Sequence, residues 1–189
     1  MKEMKLDRKT RYTRKVLADS LIELMRDKPF TKITIRELCE NADINRTTFY
    51  AHYRDPFDLL RQIEEETLGY IEDMLNKYDE KRSKREILEM VEEILGFIAN
   101  NSKSLQVLLS ENGDIGFQKK LFRHFMLKEQ VMKYFPKKSI REETKEYWSV
   151  YVIHGAIGLV QYWLKNDMVV PVPELARILM FLSWRGELR

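Results

Sequence analysis

Apolar residues recur at three- and four-residue intervals along most of the chain, the spacing that lines one face of an α-helix. Leu17, Leu21 and Leu24, widened by Val16, Ile22 and Met25, predict a first helix over about Thr10–Asp27, ended by Lys28-Pro29. Two short helices are predicted next, at about Thr34–Asn41 and Asn45–Tyr53, separated by Ala42, Asp43 and Ile44. Leu60, Ile63, Ile71, Met74 and Tyr78 then continue down one side of a longer helix that opens at Pro56. Further helices are expected at about Lys84–Ala99, Ser102–Leu109, Asp114–Phe135, Ile140–Asn166 and Pro173–Trp184, about nine in all. No period-two alternation of useful length occurs, so the expected class is all-α without a sheet.

The helix starts carry their own chemistry. The pattern Ser/Thr-x-x-Glu, in which hydroxyl and carboxylate reciprocally satisfy unpaired amides, occurs at Thr34–Glu37, Ser83–Glu86 and Ser139–Glu142. Asp55 is placed to cap the helix that follows it. Pro56 sits at the first helical position, where a missing amide costs nothing, and Asp58 complements the helix dipole.

Composition agrees with packed helices: glycine (7) and proline (5) are scarce and 33% of residues are charged. The net charge of +3 is small, but residues 1–54 hold 13 Lys/Arg against 8 Asp/Glu while the remainder holds 20 against 22. Lys2, Lys5, Arg8, Lys9, Arg11, Arg14 and Lys15 crowd the first fifteen residues, where a basic arm would meet phosphates or simply form a solvated tail. The single Cys39 excludes an intramolecular disulfide and reads as a small core residue, which fits a reducing cytoplasm. The N-terminus lacks the apolar stretch of a secretion signal. The longest apolar run, Val150–Leu164, is interrupted by His154 and Gln161 and is too short for a bilayer span, so no membrane association is expected. There is no glycine-rich phosphate loop and no Gly-x-Ser-x-Gly elbow, and His52, His124 and His154 lack metal-ligand spacing. No enzyme activity, metal or cofactor is expected.

The segment from Pro29 to Leu60 sets apolar Ile35, Leu38 and Ala42 against Ile44, Phe49 and Tyr53, so two short helices can bury each other. Asn45 is a good N-cap, leaving Arg46, Thr47 and Thr48 in the first turn, where a recognition helix presents side chains to base edges. A guanidinium pairs bidentately with guanine, and threonine offers a hydroxyl and a methyl. Thr34 at a helix start, the small turn Ala42-Asp43-Ile44 and the run Phe49-Tyr50-Ala51-His52-Tyr53 resemble the N-terminal signature of the TetR family of regulators. The resemblance implies that Arg36, Arg46, Thr47 and Thr48 approach bases and that Tyr50 and His52 contact phosphates. The residue-level alternatives are local packing for His52 and a plain exposed helix position for Arg36. The sequence departs from the signature twice. Asp43 replaces the usual turn glycine, and Pro56 replaces a lysine that contacts phosphate at the start of the fourth helix, with Arg54 a candidate substitute.

The resemblance divides the chain into a DNA-binding domain over 1–54 and a helical effector-binding and dimerisation domain over 55–189, joined through the helix at about 55–78. Tyr151, Gly155, Gly158, Trp163 and Leu164 resemble a Firmicutes-type subgroup that includes regulators of dihydroxyacetone-kinase operons. Gly155, Gly158, Trp163 and Phe181 are candidates for a dimer interface, with packing inside one subunit as the alternative. Met90, Phe97, Phe122, Phe125, Met126, Trp148 and Tyr151 are candidates for an adaptable effector pocket, with ordinary core as the alternative. The implied function is a homodimeric regulator, a repressor modulated by a small molecule, on a pseudo-palindromic double-stranded DNA operator. The competing function is a protein-binding coregulator of the same fold.

Overall fold

A computed structural model describes residues 8–77, 83–114, 116–121 and 145–184. Most of the helix expected to reach Phe135, the start expected at Ser139, the candidate pocket residues Phe122, Phe125 and Met126, and Lys2 and Lys5 of the basic arm lie outside the described residues. Within them the structure is all-helical and contains no strand. The elements are α1 (Arg8–Asp27), a 3-10 turn (Phe30–Lys32), α2 (Ile35–Asn41), α3 (Arg46–Tyr50), α4 (Pro56–Asn76), α5 (Lys84–Asn100), α6 (Ser102–Leu108), α7 (Lys145–Lys165) and α8 (Val172–Trp184). Residues 116–121 are also helical.

Local chemistry sets most of these boundaries. Thr34 and Ser83 each form a full capping box, with Glu37 and Glu86 respectively. Asp55 accepts from the Asp58 amide at 2.8 Å, and Pro56 opens α4. The third helix ends earlier than the spacing predicts, at Tyr50 rather than Tyr53. Its last turn tightens, with the His52 amide donating to Phe49 O at 2.9 Å, and the chain turns at Ala51 and His52 to enter Asp55-Pro56.

One hydrophobic cluster runs through the described residues from Leu17 and Leu21 of α1, through Leu38, Phe49 and Leu59, to Leu95 of α5 and Leu175 and Ala176 of α8. Helix α5 packs along α8, and α6 lies against both α1 and α7. The loop after α6 is tied back to the end of α1: the Phe30 amide donates to Asn112 O at 3.0 Å, and Asn112 Nδ2 donates to Arg26 O at 3.2 Å. Gln118 and Gln161 both donate to Leu109 O, at 3.0 and 2.9 Å, joining the same loop to the 116–121 helix and to α7. These bonds satisfy carbonyls left over at or beyond the ends of α1 and α6, and they link the N-terminal helices directly to the C-terminal ones.

Candidate nucleic-acid interface and effector cavity

Helix α2 is held at its start and on its inner face. Glu37 accepts from the Thr34 amide at 3.0 Å and from Lys28 Nζ, so its carboxyl is held at about 2, Lys28 being the largest cause and Thr34 the next. Ser20 of α1 donates to Leu38 O at 3.2 Å. The end of α2 is a Schellman motif: the Ile44 amide donates to Cys39 O at 3.0 Å and the Asp43 amide reaches Glu40 O at 3.4 Å. That closure needs a left-handed residue, and Asp43 supplies it with φ 51°. Cys39 is buried, and burial pushes its thiol up against the smaller opposing effect of the Arg46 charge.

The turn delivers the chain to Asn45, whose Oδ1 accepts from the Thr48 amide at 2.8 Å and starts α3. Phe49 and Tyr53 point inward from α3 and its exit and are buried, their ring centroids 5.9 Å apart. Arg14 of α1 lies over the Tyr53 ring at 5.7 Å and donates to Gln62 of α4 at 2.8 Å, so Tyr53 sits where three helices meet. Desolvation raises the Tyr53 phenol above its ordinary value. With that side anchored, the opposite side of α3 faces out. Arg46 and Thr47 are exposed, Thr48 is half-buried, Tyr50 is 58% exposed, and His52 is half-buried beside the Tyr53 ring.

Arg36 projects from α2 toward the same side, since Arg36, Asp43, Asn45 and Arg46 line one shallow groove. Its guanidinium is engaged by Glu40 at 2.7 Å, an exposed pair that competes only weakly with a phosphate or base. Arg46 makes no side-chain hydrogen bond or ion pair among the described residues. Arg14, grouped with the basic arm on sequence, is instead a packing residue, while Lys9, Arg11 and Lys15 are exposed. At the start of α4 the Arg54 side chain is exposed, and its amide donates to Asp58 at 3.1 Å.

In the C-terminal half, a cavity of about 210 Å³ opens among α4, α5, α6, the 116–121 helix, α7 and α8. The pocket candidates Phe97, Trp148 and Tyr151 are not among its described walls. Phe97 stacks on Tyr70 of α4, with centroids 4.2 Å apart and planes at 17°. Tyr151 is 72% exposed, and Trp148 is half-buried near the start of α7. The candidate Met90 of α5 does lie in the wall, beside Ile94 of the same helix and Val152, Ile153 and Ala156 of α7. The interface candidates also divide. Gly155 and Gly158 are exposed with open space where a Cβ would sit, and Phe181 is half exposed. Trp163 does not join them, because it is 4% exposed within its own chain and donates Nε1–H to Val170 O at 2.7 Å. A side chain already enclosed by its own subunit leaves no surface for a partner.

Sequence reasoning passed over Glu64, the first of three consecutive glutamates and outwardly part of a solvated run. Its carboxylate is buried and accepts from Lys120 of the 116–121 helix. Among the described residues no group of His, Cys, Asp or Glu is arranged to hold a metal ion, and no helix is long and apolar enough to cross a membrane.

A TetR C-terminal family model, a transcriptional regulator C-terminal region, matches residues 85–183. The HTH-type transcriptional regulator YxbF of Bacillus subtilis strain 168 is 25% identical over 184 residues, covering 96% of this chain. The chain spans about half the length of that curated relative, 47%. Among solved structures, the TetR transcriptional regulator from Streptococcus agalactiae 2603V shares the fold with a TM-score of 0.67 at 20% identity, over 95% of this chain and 97% of that one. The fatty acid degradation regulator FadR from Bacillus halodurans gives a TM-score of 0.67 at 14% identity, over 94% and 96% of the two chains. The dihydroxyacetone kinase operon activator DhaS gives 0.59 at 16% identity, over 90% and 93%. With its C-terminal region matched by the family model and its whole described fold shared with these regulators, the chain belongs to the TetR family of transcriptional regulators.

Proposed function

We propose that this regulator binds a pseudo-palindromic DNA operator as a cytoplasmic homodimer and acts as a repressor whose grip is altered by a small molecule. Residues 1–54 read the DNA in this scheme, and residues 55–189 dimerise and take the effector. The observation that carries the reading is the division of α3 into two faces. Phe49 and Tyr53 are locked inward, while Arg46, Thr47 and Tyr50 stand outward after a capped, Schellman-closed turn. A guanidinium and a threonine hydroxyl in the first turn suit base edges and phosphates in a major groove.

The exposed stripe on α7, comprising Tyr147, Tyr151, Gly155, Gly158 and Tyr162, supports the dimer. Phe181 and Leu182 of α8 expose further apolar surface. Bare glycines let a second helix approach closely, and the flanking aromatic side chains supply apolar contact area. Two recognition helices related by a two-fold axis would enter successive major grooves, and an occupant of the cavity would change their spacing.

Electrophoretic mobility shift with the chain's own promoter fragment tests the reading, together with the Arg46→Ala and Tyr50→Phe variants. A shift by the parent that both variants lose supports operator binding. No shift in low salt favours the coregulator reading, for which the one specific observation is Pro56, uncharged where the resemblance calls for a phosphate-binding lysine.

A further inference from the structure

We propose that the cavity takes a neutral, largely apolar molecule carrying at most one hydrogen-bonding group, and that charged effectors are excluded from it. Its regulatory meaning rests on the reading just given, but its binding does not. The described walls contain no Lys, Arg, His, Asp, Glu, Asn or Gln. They are built from side chains such as Leu75, Met90, Ile94, Phe117, Val152 and Leu179, and the hydroxyl of Ser183 is the lone side-chain polar group among them.

An ion entering this space would give up its water and find no opposite charge among the described walls, whereas an apolar group would lose only unfavourable hydration. Apolar cavities of this kind stay dry and bind apolar guests, a space of roughly 150 Å³ accepting benzene. At about 210 Å³ this one is larger. Simple scaling from benzene gives room for roughly eight to ten non-hydrogen atoms. Ser183 can receive or donate one hydrogen bond, which suits an alcohol, ketone or ester head on an aliphatic or aromatic body. Ile71 and Leu75 place α4 itself in contact with the occupant, so filling the cavity acts directly on the helix that begins immediately after α3 and its exit turn.

The test uses the full chain and three probes of equal length: 1-octanol, octanoate and octylammonium, at near-neutral pH. Binding is read by ligand-observed NMR and by the shift in unfolding temperature. The expected result is that 1-octanol binds and raises the unfolding temperature, while both ions bind about tenfold more weakly or worse. Ala156→Phe, which fills the space, removes octanol binding, and Lys165→Ala, exposed at the end of the same helix, leaves it unchanged. If circular dichroism shows Ala156→Phe unfolded, Ile94→Phe fills the space from α5.

The proposal is overturned if 1-octanol does not bind, if either ion binds as tightly, or if a folded cavity-filling variant still binds octanol. Loss of DNA binding in the mobility shift would defeat the operator reading while leaving this result intact. Release of DNA by a charged molecule that Ala156→Phe does not block would place the effector elsewhere and overturn the regulatory part alone.

Discussion

Lys120 Nζ lies 2.8 Å from Glu64 Oε2, and the carboxylate it meets is 1% exposed on α4. Lys120 itself remains partly in solvent, and Glu64 Oε1 has no hydrogen-bond partner among the described residues. The pair binds the 116–121 helix, whose Phe117 and Leu121 face the cavity, to the helix that begins just beyond the α3 exit turn. Burial raises the Glu64 carboxyl above its ordinary value, and the Lys120 hydrogen bond and charge oppose that rise.

Removing the lysine therefore has a pH signature. A carboxyl whose folded value is raised costs stability as pH climbs from its unfolded value through the folded one, and Lys120→Met raises it further. Urea unfolding of Lys120→Met should show a loss of about 1–3 kcal/mol near pH 8, shrinking toward zero near pH 4. Glu64→Gln in the same background should abolish that pH dependence. An equal loss at both pH values would assign Lys120 a packing role only.

Arg46→Ala should leave unfolding within about 0.5 kcal/mol of the parent, because the side chain is exposed and makes no described bond. The same change should weaken binding to the preferred site by about 1–3 kcal/mol with relaxed sequence preference, the mark of a base contact. Tyr50→Phe should weaken all DNA sequences alike. Fluorescence anisotropy against specific and scrambled duplexes separates the two patterns.

Asp43 occupies the left-handed position of the turn at φ 51°, where glycine carries no penalty. Asp43→Gly should raise stability by roughly 0.5–1 kcal/mol, and a β-branched residue there should lower it by more. Thermal unfolding monitored by circular dichroism reads both, and a destabilised Asp43→Gly would mean that the aspartate side chain contributes more than its backbone shape.

Glu37 supplies the acid limb. Its folded value of about 2 lies below the usual carboxylate range because Lys28 and Thr34 hold the charged form. Its stabilisation is thus complete above the unfolded carboxylate value of about 4.5 and is lost as pH falls toward 2. The stability gap between the parent and Glu37→Gln should be constant at neutral pH and should close progressively through that acid window.

How far the sequence could be read follows the range of the forces involved. Capping boxes at Thr34 and Ser83, the Asp55-Pro56 start, the Asn45 cap and the left-handed Asp43 all act within about one helical turn, so a few adjacent residues specify them. The outward face of α3 was legible for the same reason, since Phe49 and Tyr53 share one side at helical spacing and oblige Arg46 and Tyr50 to take the other. Helix α7 is different. Valine, isoleucine, tyrosine and tryptophan surround most of its circumference, so apolar spacing selects no face. Contact with α6 and α8 settled that Trp163 turns in, that Tyr151 and the two glycines turn out, and that Val152 and Ile153 line the cavity. Phe97 was claimed by Tyr70 from another helix, and Glu64 by Lys120 more than fifty residues away. Local hydrogen bonding is written in neighbouring residues, whereas burial and charge pairing depend on which distant surface arrives, and tertiary packing alone decides that.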